Sequence, residues 1–261
     1  MLRCAGQSSG SGPTAMPKVA IVAALEREVS DLTRSCRRVP REYEGRTFTF
    51  FERDDMVVIC GGIGMEAARR AAEAVIALYH PTRLQSVGFA GALESSLRVG
   101  DLFTPAVVID ARDGSRVEIP GGNKGSMLVS FMAVTGLEQK RKLALAYGAQ
   151  VVDMEAAAAT PAARAHGIAF GATKVISDDW NFEMPPMGRF IDAQGRFRTA
   201  PFAAFVALRP WLWRRVARLA SNSRKAASVL GDHLERYRQE LSQLADCPVA
   251  AASGLQGRGR E

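Results

Sequence analysis

Residues 174–179, Lys-Val-Ile-Ser-Asp-Asp, form an apolar run that stops in two carboxylates, Asp178 and Asp179. A second stretch, residues 151–155, Val-Val-Asp-Met-Glu, repeats the form and leads into a run of alanines. Ligands of open α/β sheets gather at the carboxyl ends of strands. Two strands that deliver acids to that edge point to carboxylate chemistry on a small molecule.

The rest of the chain reads outward from these two segments. Residues 18–24 form a buried strand, followed by a helix expected from Leu25 to Cys36. Residues 46–51 and 56–60 read as a strand pair around Arg53-Asp54-Asp55. Gly61-Gly62-Ile63-Gly64 opens an alanine-rich helix that runs to Tyr79 and stops at His80-Pro81. Strands are expected at 84–89 and 102–109, a loop at 113–125, and strand character at 127–134. Helices at 137–147 and 155–166 then alternate with strands at 150–153 and 169–176. Such alternation argues for one α/β domain, not two, with a central mixed sheet flanked by helices.

The domain is expected over residues 18–245. Residues 1–17, rich in Ser and Gly, read as a disordered leader without the apolar core of a signal peptide, and 246–261 as a disordered tail. Within the domain, 206–245 reads as a C-terminal helical segment, with Leu230, Leu234, Tyr237, Leu241 and Leu244 on one face.

Composition narrows the class. A chain of 261 residues with 47% hydrophobic content can bury a full core. No apolar run reaches the ~18 residues of a membrane-spanning helix. The four cysteines lack C-x-x-C spacing, which argues against a zinc site or disulfide framework and for a reducing, cytoplasmic setting. Of the +7 formal charge, most sits after residue 206, where ten Lys/Arg face five Asp/Glu. A nearly neutral body with a basic tail is not the footprint of a nucleic-acid binder.

Each candidate residue has a bland reading beside the chemical one. Asp178, at the end of an apolar strand, suits a general acid whose proton is retained by desolvation, and equally suits a helix N-cap. Asp179 competes for either role. Glu155 opens a helix, where the dipole favours an acid by a few tenths to about 1 kcal/mol. Its two oxygens would also accept hydrogen bonds from a vicinal diol such as that of ribose. Glu26 and Glu28 lie in a first turn at the same sheet edge, either as dipole partners or with one of them polarising a water. The glycine turns 61–64 and 88–91 offer backbone N–H groups, but neither has the spacing of a Walker loop or a dinucleotide fingerprint. His80, His166 and His233 pair with no nucleophile and read as structural or exposed.

Taken in order, these segments resemble the purine nucleoside phosphorylase and nucleosidase family, most closely its methylthioadenosine/adenosylhomocysteine nucleosidase branch. The matching pieces are residues 20–29 (Ala-Ile-Val-Ala-Ala-Leu-Glu-Arg-Glu-Val), 62–64, 88–93 (Gly-Phe-Ala-Gly-Ala-Leu) with 99–101, 152–155, and 176–178. The resemblance implies the single-domain phosphorylase/hydrolase-like fold and cleavage of the N-glycosidic bond of a purine nucleoside. It implies Asp178 as proton donor to purine N7, Glu155 as ligand of the ribose hydroxyls with Met154 against the sugar, and Glu28 as the acid facing the attacking water. Phe89, Ala90, Gly91 and Gly64 complete the expected substrate-binding set. A carboxylate pair of this kind serves an oxocarbenium-like transition state.

Departures from the family pattern matter too. Phe89 stands where family members often carry a phosphate-contacting Ser or Thr, and no Arg-bearing phosphate loop is evident near Glu26. Water is therefore the expected nucleophile. Phosphate is the alternative co-substrate, and a non-catalytic nucleoside-binding protein on this fold is the alternative class. No metal or organic cofactor is expected. The segment between Ile109 and Gly136 is shorter than in nucleosidases, so its base-stacking aromatic has no match.

Residues 180–205 carry two tandem prolines and many large apolar side chains, including Phe182, Met184, Met187, Phe190 and Phe197. They suit a pocket for an apolar 5′ substituent, from methylthio to a lipid such as the hopanoid-linked adenosine handled by some relatives. The resemblance implies a small purine nucleoside and a second copy of the chain, in a homodimer, as partners. Residues 210–218, Pro-Trp-Leu-Trp-Arg-Arg-Val-Ala-Arg, are expected first to pack as a closing helix and second to offer a weak membrane-surface contact.

Overall fold

The computed structural model describes residues 19–54 and 56–246. The expected leader and the tail beyond Asp246 lie outside the described residues, as do the side chains of Leu241 and Leu244.

Strand β1 (Val19–Ala23) is buried along its whole length, as five consecutive apolar residues require. The helix expected after it is broken into two pieces. A 3₁₀ turn, Glu26–Glu28, is followed by a four-residue helix, α1 (Ser30–Thr33). The cause is local: Glu28 folds back so that its Oε2 accepts the Leu25 N–H at 3.3 Å, which closes a tight turn. Strand β2 (Arg37–Tyr43) escapes periodicity altogether, because it is an exposed, arginine-rich edge strand containing Pro40. It pairs antiparallel with β3 (Arg46–Arg53) around Glu44-Gly45, both with positive φ, and β3 pairs antiparallel with β4 (Met56–Cys60).

Helix α2 (Met65–Tyr79) follows the glycine turn and ends at His80 in the left-handed conformation. Strand β5 (Arg83–Ala92) is the axis of the sheet. Its first half lies between β1 and β11 (Ala169–Asp178), parallel to both. Near its end, Gly91 and Ala92 pair antiparallel with β10 (Val151–Asp153). The expected strand at 102–109 is two strands, β6 (Leu102–Phe103) and β7 (Pro105–Asp110), the first of which pairs with β11. The expected loop contains a short strand, β8 (Arg116–Glu118), on β7. Strand β9 (Asn123–Ser130) joins β7 to β10 in parallel. The result is a mixed eleven-stranded sheet, ordered β2-β3-β4-β1-β5-β10-β9-β7-β8, with β11 and β6 branching from β5.

Helices cover both faces. Alanine-rich α2 and α4 (Ala156–Ala165) pack on one face with Ala71, Ala72, Val75, Ala159 and Ala163 in contact with β-strand residues. On the other face, the 37-residue α6 (Pro210–Asp246) lays Ala226, Leu230 and Leu234 over β1, β4 and α1, with Tyr237 partly buried beside them. Helix α3 (Leu137–Tyr147) buries Leu143 against Val129 and Val152. The chain between β11 and α6 holds a 3₁₀ turn at Gly188–Phe190 and the short helix α5 (Thr199–Ala207).

Candidate active site

The acids of the two opening segments reach one place by different routes. Strand β11 extends two residues beyond its expected end, with a register shift between Ile176 and Asp178. Bulges re-aim side chains, and here Ser177 and Asp178 both line the same cavity. Strand β10 runs antiparallel to β5, not parallel. Its acids therefore come back over the middle of β5 and approach the site from across it. No helix follows Asp178, so it caps none; the cap of α4 comes from Asp153, whose Oδ2 accepts the Ala156 N–H at 2.9 Å.

Glu155 is freed for another role. Its Oε1 accepts the Gly64 N–H at 2.9 Å and its Oε2 the Met154 N–H at 3.1 Å. Burial, and then the charge of Asp153, push its carboxyl up to about 7, against the opposing charge of Lys174. Glu28 is 5% exposed. Burial raises its pKa, opposed by the Leu25 N–H and Lys174. Gly88, with φ +142°, makes room for it: a Cβ there would stand 2.9 Å from Glu28 Oε2.

Two buried lysines complete the electrostatics, and sequence reading gave neither a role. Lys174 Nζ pairs with Asp153 Oδ2 at 2.8 Å and donates to Ser86 Oγ at 3.2 Å. Burial would lower its pKa, but the charges of Asp153, Glu155 and Glu28 outweigh it and hold the ammonium above its ordinary value. Asp153 also accepts from Ser130 Oγ, which in turn accepts the Ala157 N–H at 2.9 Å. Lys140, from the first turn of α3, makes a buried ion pair with Asp178 and donates to the Asp179 carbonyl at 2.7 Å. Asp178 Oδ1 accepts from Ser177 Oγ at 2.8 Å. The lone strand-end carboxylate expected from sequence is therefore half of an ion pair. Both lysines left a faint signal: Lys174 interrupts an apolar strand, and Lys140 lies on the helix stripe of Leu143 and Tyr147.

These groups face a cavity of about 450 Å³, within the size range of small-molecule sites. Glu28, Glu155, Met154, Phe89, Ala90, Gly91 and Asp178 line it. Gly64 meets it through its hydrogen bond to Glu155. Asp179 is turned away to Arg218 at 3.2 Å, which separates it from Asp178 in role. The far side of the cavity is apolar, with Met184, Met187, Ile191, Phe197, Phe202 and Leu219. Among the described residues, no group of three or more His, Cys, Asp and Glu is placed to hold a metal ion.

A mixed α/β sheet thus brings carboxylates together at one cavity with an apolar roof. Residues 18–134 match the family model of the Phosphorylase superfamily. A 5′-methylthioadenosine/S-adenosylhomocysteine nucleosidase from Halalkalibacterium halodurans is 37% identical over 91 residues, 33% of this chain and 39% of that protein. The match thus spans well under half of the relative's length.

Among solved structures, the 5′-methylthioadenosine nucleosidase of Arabidopsis thaliana aligns with TM-score 0.65 at 14% identity, covering 87% of this chain and 96% of that one. The Helicobacter pylori 5′-methylthioadenosine/S-adenosylhomocysteine nucleosidase with butyl-thio-DADMe-Immucillin-A gives 0.60 at 16%, covering 85% and 99%. Futalosine hydrolase of Helicobacter pylori gives 0.59 at 16%, covering 85% and 98%. The fold is that of these nucleosidases and hydrolases, as the sequence motifs imply.

Proposed function

We propose that this protein cleaves the N-glycosidic bond of a purine nucleoside with water, on a substrate carrying an apolar 5′ substituent. The observation that carries the reading is the convergence of Glu28, Glu155 and Asp178 on one cavity whose far side is largely apolar. Glu155, with two acceptor oxygens on one rim, binds the ribose hydroxyls, and Met154 packs on the sugar. Asp178 faces the base and transfers the proton that makes it a neutral leaving group. Glu28 orients and deprotonates the attacking water. Phe89 lines the cavity where a phosphate-contacting hydroxyl would stand, which favours water over phosphate; Arg27 and Arg224 are the cations on the lining. The relatives named as nucleosidases support the same reaction class.

The test is release of base from methylthioadenosine, adenosine and inosine, with and without phosphate. Release without phosphate is the expected result, and turnover only with phosphate would make the enzyme a phosphorylase. Asp178→Asn is expected to lower kcat by about 100-fold or more on purine substrates. Near-normal activity in that variant would remove Asp178 from the reaction.

Two features of the surface bear on partners. Among the described residues, no helix is long and apolar enough to cross a membrane. At the start of α6, Leu212 is buried, whereas Trp211 and Trp213 are 71% and 54% exposed. With Leu208 and the exposed Arg214 and Arg215 beside them, they suit a peripheral contact with an anionic lipid surface. Flotation with anionic and with zwitterionic vesicles tests it, binding to anionic vesicles alone being expected. The exposed Met132 and Leu145 suit cover by a second copy in a homodimer, which sedimentation measures. A cytoplasmic setting remains the accompanying proposal, supported by the cysteine pattern.

A further inference from the structure

Lys140 does not line the cavity, yet its ammonium touches Asp178, a carboxylate that does. Its side chain is 1% exposed and that of Asp178 4%. The strand backbone is kept bare along the pair: a Cβ on Gly91 would come within 2.8 Å of Asp178 Oδ2 and 3.3 Å of Lys140 Cε. Asp178 Oδ2 accepts from Lys140 and Oδ1 from Ser177. The pair thus sets a proton-bearing amine directly behind the cavity-lining carboxylate. Buried ion pairs are weak evidence for stability, since desolvation offsets much of the Coulombic gain and apolar residues often serve as well. The pairing of Lys140 with the one carboxylate facing the base therefore calls for a chemical account.

Resting on the nucleosidase reading above, we propose that Lys140 is a positioning residue that supplies, through Asp178, the proton taken up by the departing base. As the N-glycosidic bond breaks, its electron pair passes to the base. A ring nitrogen of the base takes a proton from Asp178 while Asp178 takes one from the Lys140 ammonium. Water forms the new bond to the anomeric carbon and leaves its proton on Glu28. When products depart, Glu28 releases that proton to solvent and the neutral Lys140 amine recovers one.

The experiment compares Lys140→Met and Lys140→Arg with the wild-type protein on a purine nucleoside and on its N7-methylated counterpart. The methylated base is already cationic and leaves without a proton. Lys140→Met is expected to lose about 100-fold or more in kcat on the ordinary nucleoside, with KM within about threefold. On the methylated nucleoside the loss should stay below about fivefold. Arginine keeps the charge but does not give up its proton, so Lys140→Arg should recover less than about a tenth of the lost kcat.

Equal losses on both nucleosides, kcat and KM moving together, or full recovery with arginine would each overturn the proposal. Thermal melts establish that each variant is folded. If the methionine variant is not, the arginine variant carries the same two-substrate comparison. A wild-type protein that cleaves no purine nucleoside at all would instead remove the nucleosidase reading on which the proposal stands.

Discussion

Glu155 holds its proton to about 7, where an ordinary glutamate has lost it near 4.5. Between those values the folded protein binds a proton that the unfolded chain has released, so stability falls as pH rises through the window. Above it, the fold carries the cost of an ionised, buried carboxylate. Glu155→Gln removes that cost. The melting temperature of the variant minus that of the wild type should therefore rise between about pH 5 and about pH 8, by about 2 °C or more. A difference that stays flat or falls would show that Glu155 does not titrate there. Under the proposed reading the same oxygens meet the ribose hydroxyls in ionised form, so that function would draw on a form of the residue that the fold disfavours. At this scale the sequence showed acids where apolar segments end, at residues 26–28, 153–155 and 178–179, and the resemblance singled out Glu28, Glu155 and Asp178 among them. Lys140 was hidden, because a lysine on a helix ordinarily faces water and only its burial against Asp178 reveals it.

The elements matter through where two of them pass. The turn after β1 delivers Glu28 to the middle of β5, and the approach is possible only because residue 88 lacks a Cβ. Gly88→Ala adds a methyl 2.9 Å from Glu28 Oε2 at a φ of +142°, a conformation that L residues rarely adopt. We expect this substitution to destabilise the fold by about 1–3 kcal/mol. We also expect a larger loss in kcat than in substrate affinity, because the residue displaced is Glu28, the acid proposed to face the attacking water. Denaturant unfolding and steady-state kinetics on the same preparation measure the two effects. Wild-type kcat in a folded Gly88→Ala protein would exclude Glu28 from the reaction. Among the elements, α2, α3 and α4 were legible because their apolar period and their stops agree. The helix expected from Leu25 was not legible, since its interruption depends on a side chain that turns back on its own backbone. Strand β2 carries no apolar alternation because its outer edge faces water.

At the scale of the molecule, the cavity joins a polar floor from the sheet to an apolar roof from the segment after β11 and from α6. A roof of methionine, isoleucine and phenylalanine has little to offer a bare 5′ hydroxyl. Lengthening a 5′-alkylthio chain on adenosine should therefore tighten binding by about 0.8 kcal/mol, or about fourfold, for each methylene that is buried. Inhibition constants or KM across the series measure this. Affinity independent of chain length would place the substituent outside the apolar roof.

The amino-acid sequence by itself determined the α/β class and the order of most elements, since those follow from local apolar period and from where each run ends; it left Glu26 beside Glu28 and Asp179 beside Asp178, and only the family resemblance chose between them. It also marked residues 180–205 as unusually apolar. Only the tertiary structure decided that β10 runs antiparallel to β5, that Asp178 and not Asp179 enters the cavity, and that two buried lysines balance the acids. These are long-range pairings, and no local pattern encodes which distant charge will be buried against which. The path of α6 likewise decided that Trp211 and Trp213 face away from the body of the domain, where a second subunit or a lipid surface could meet them.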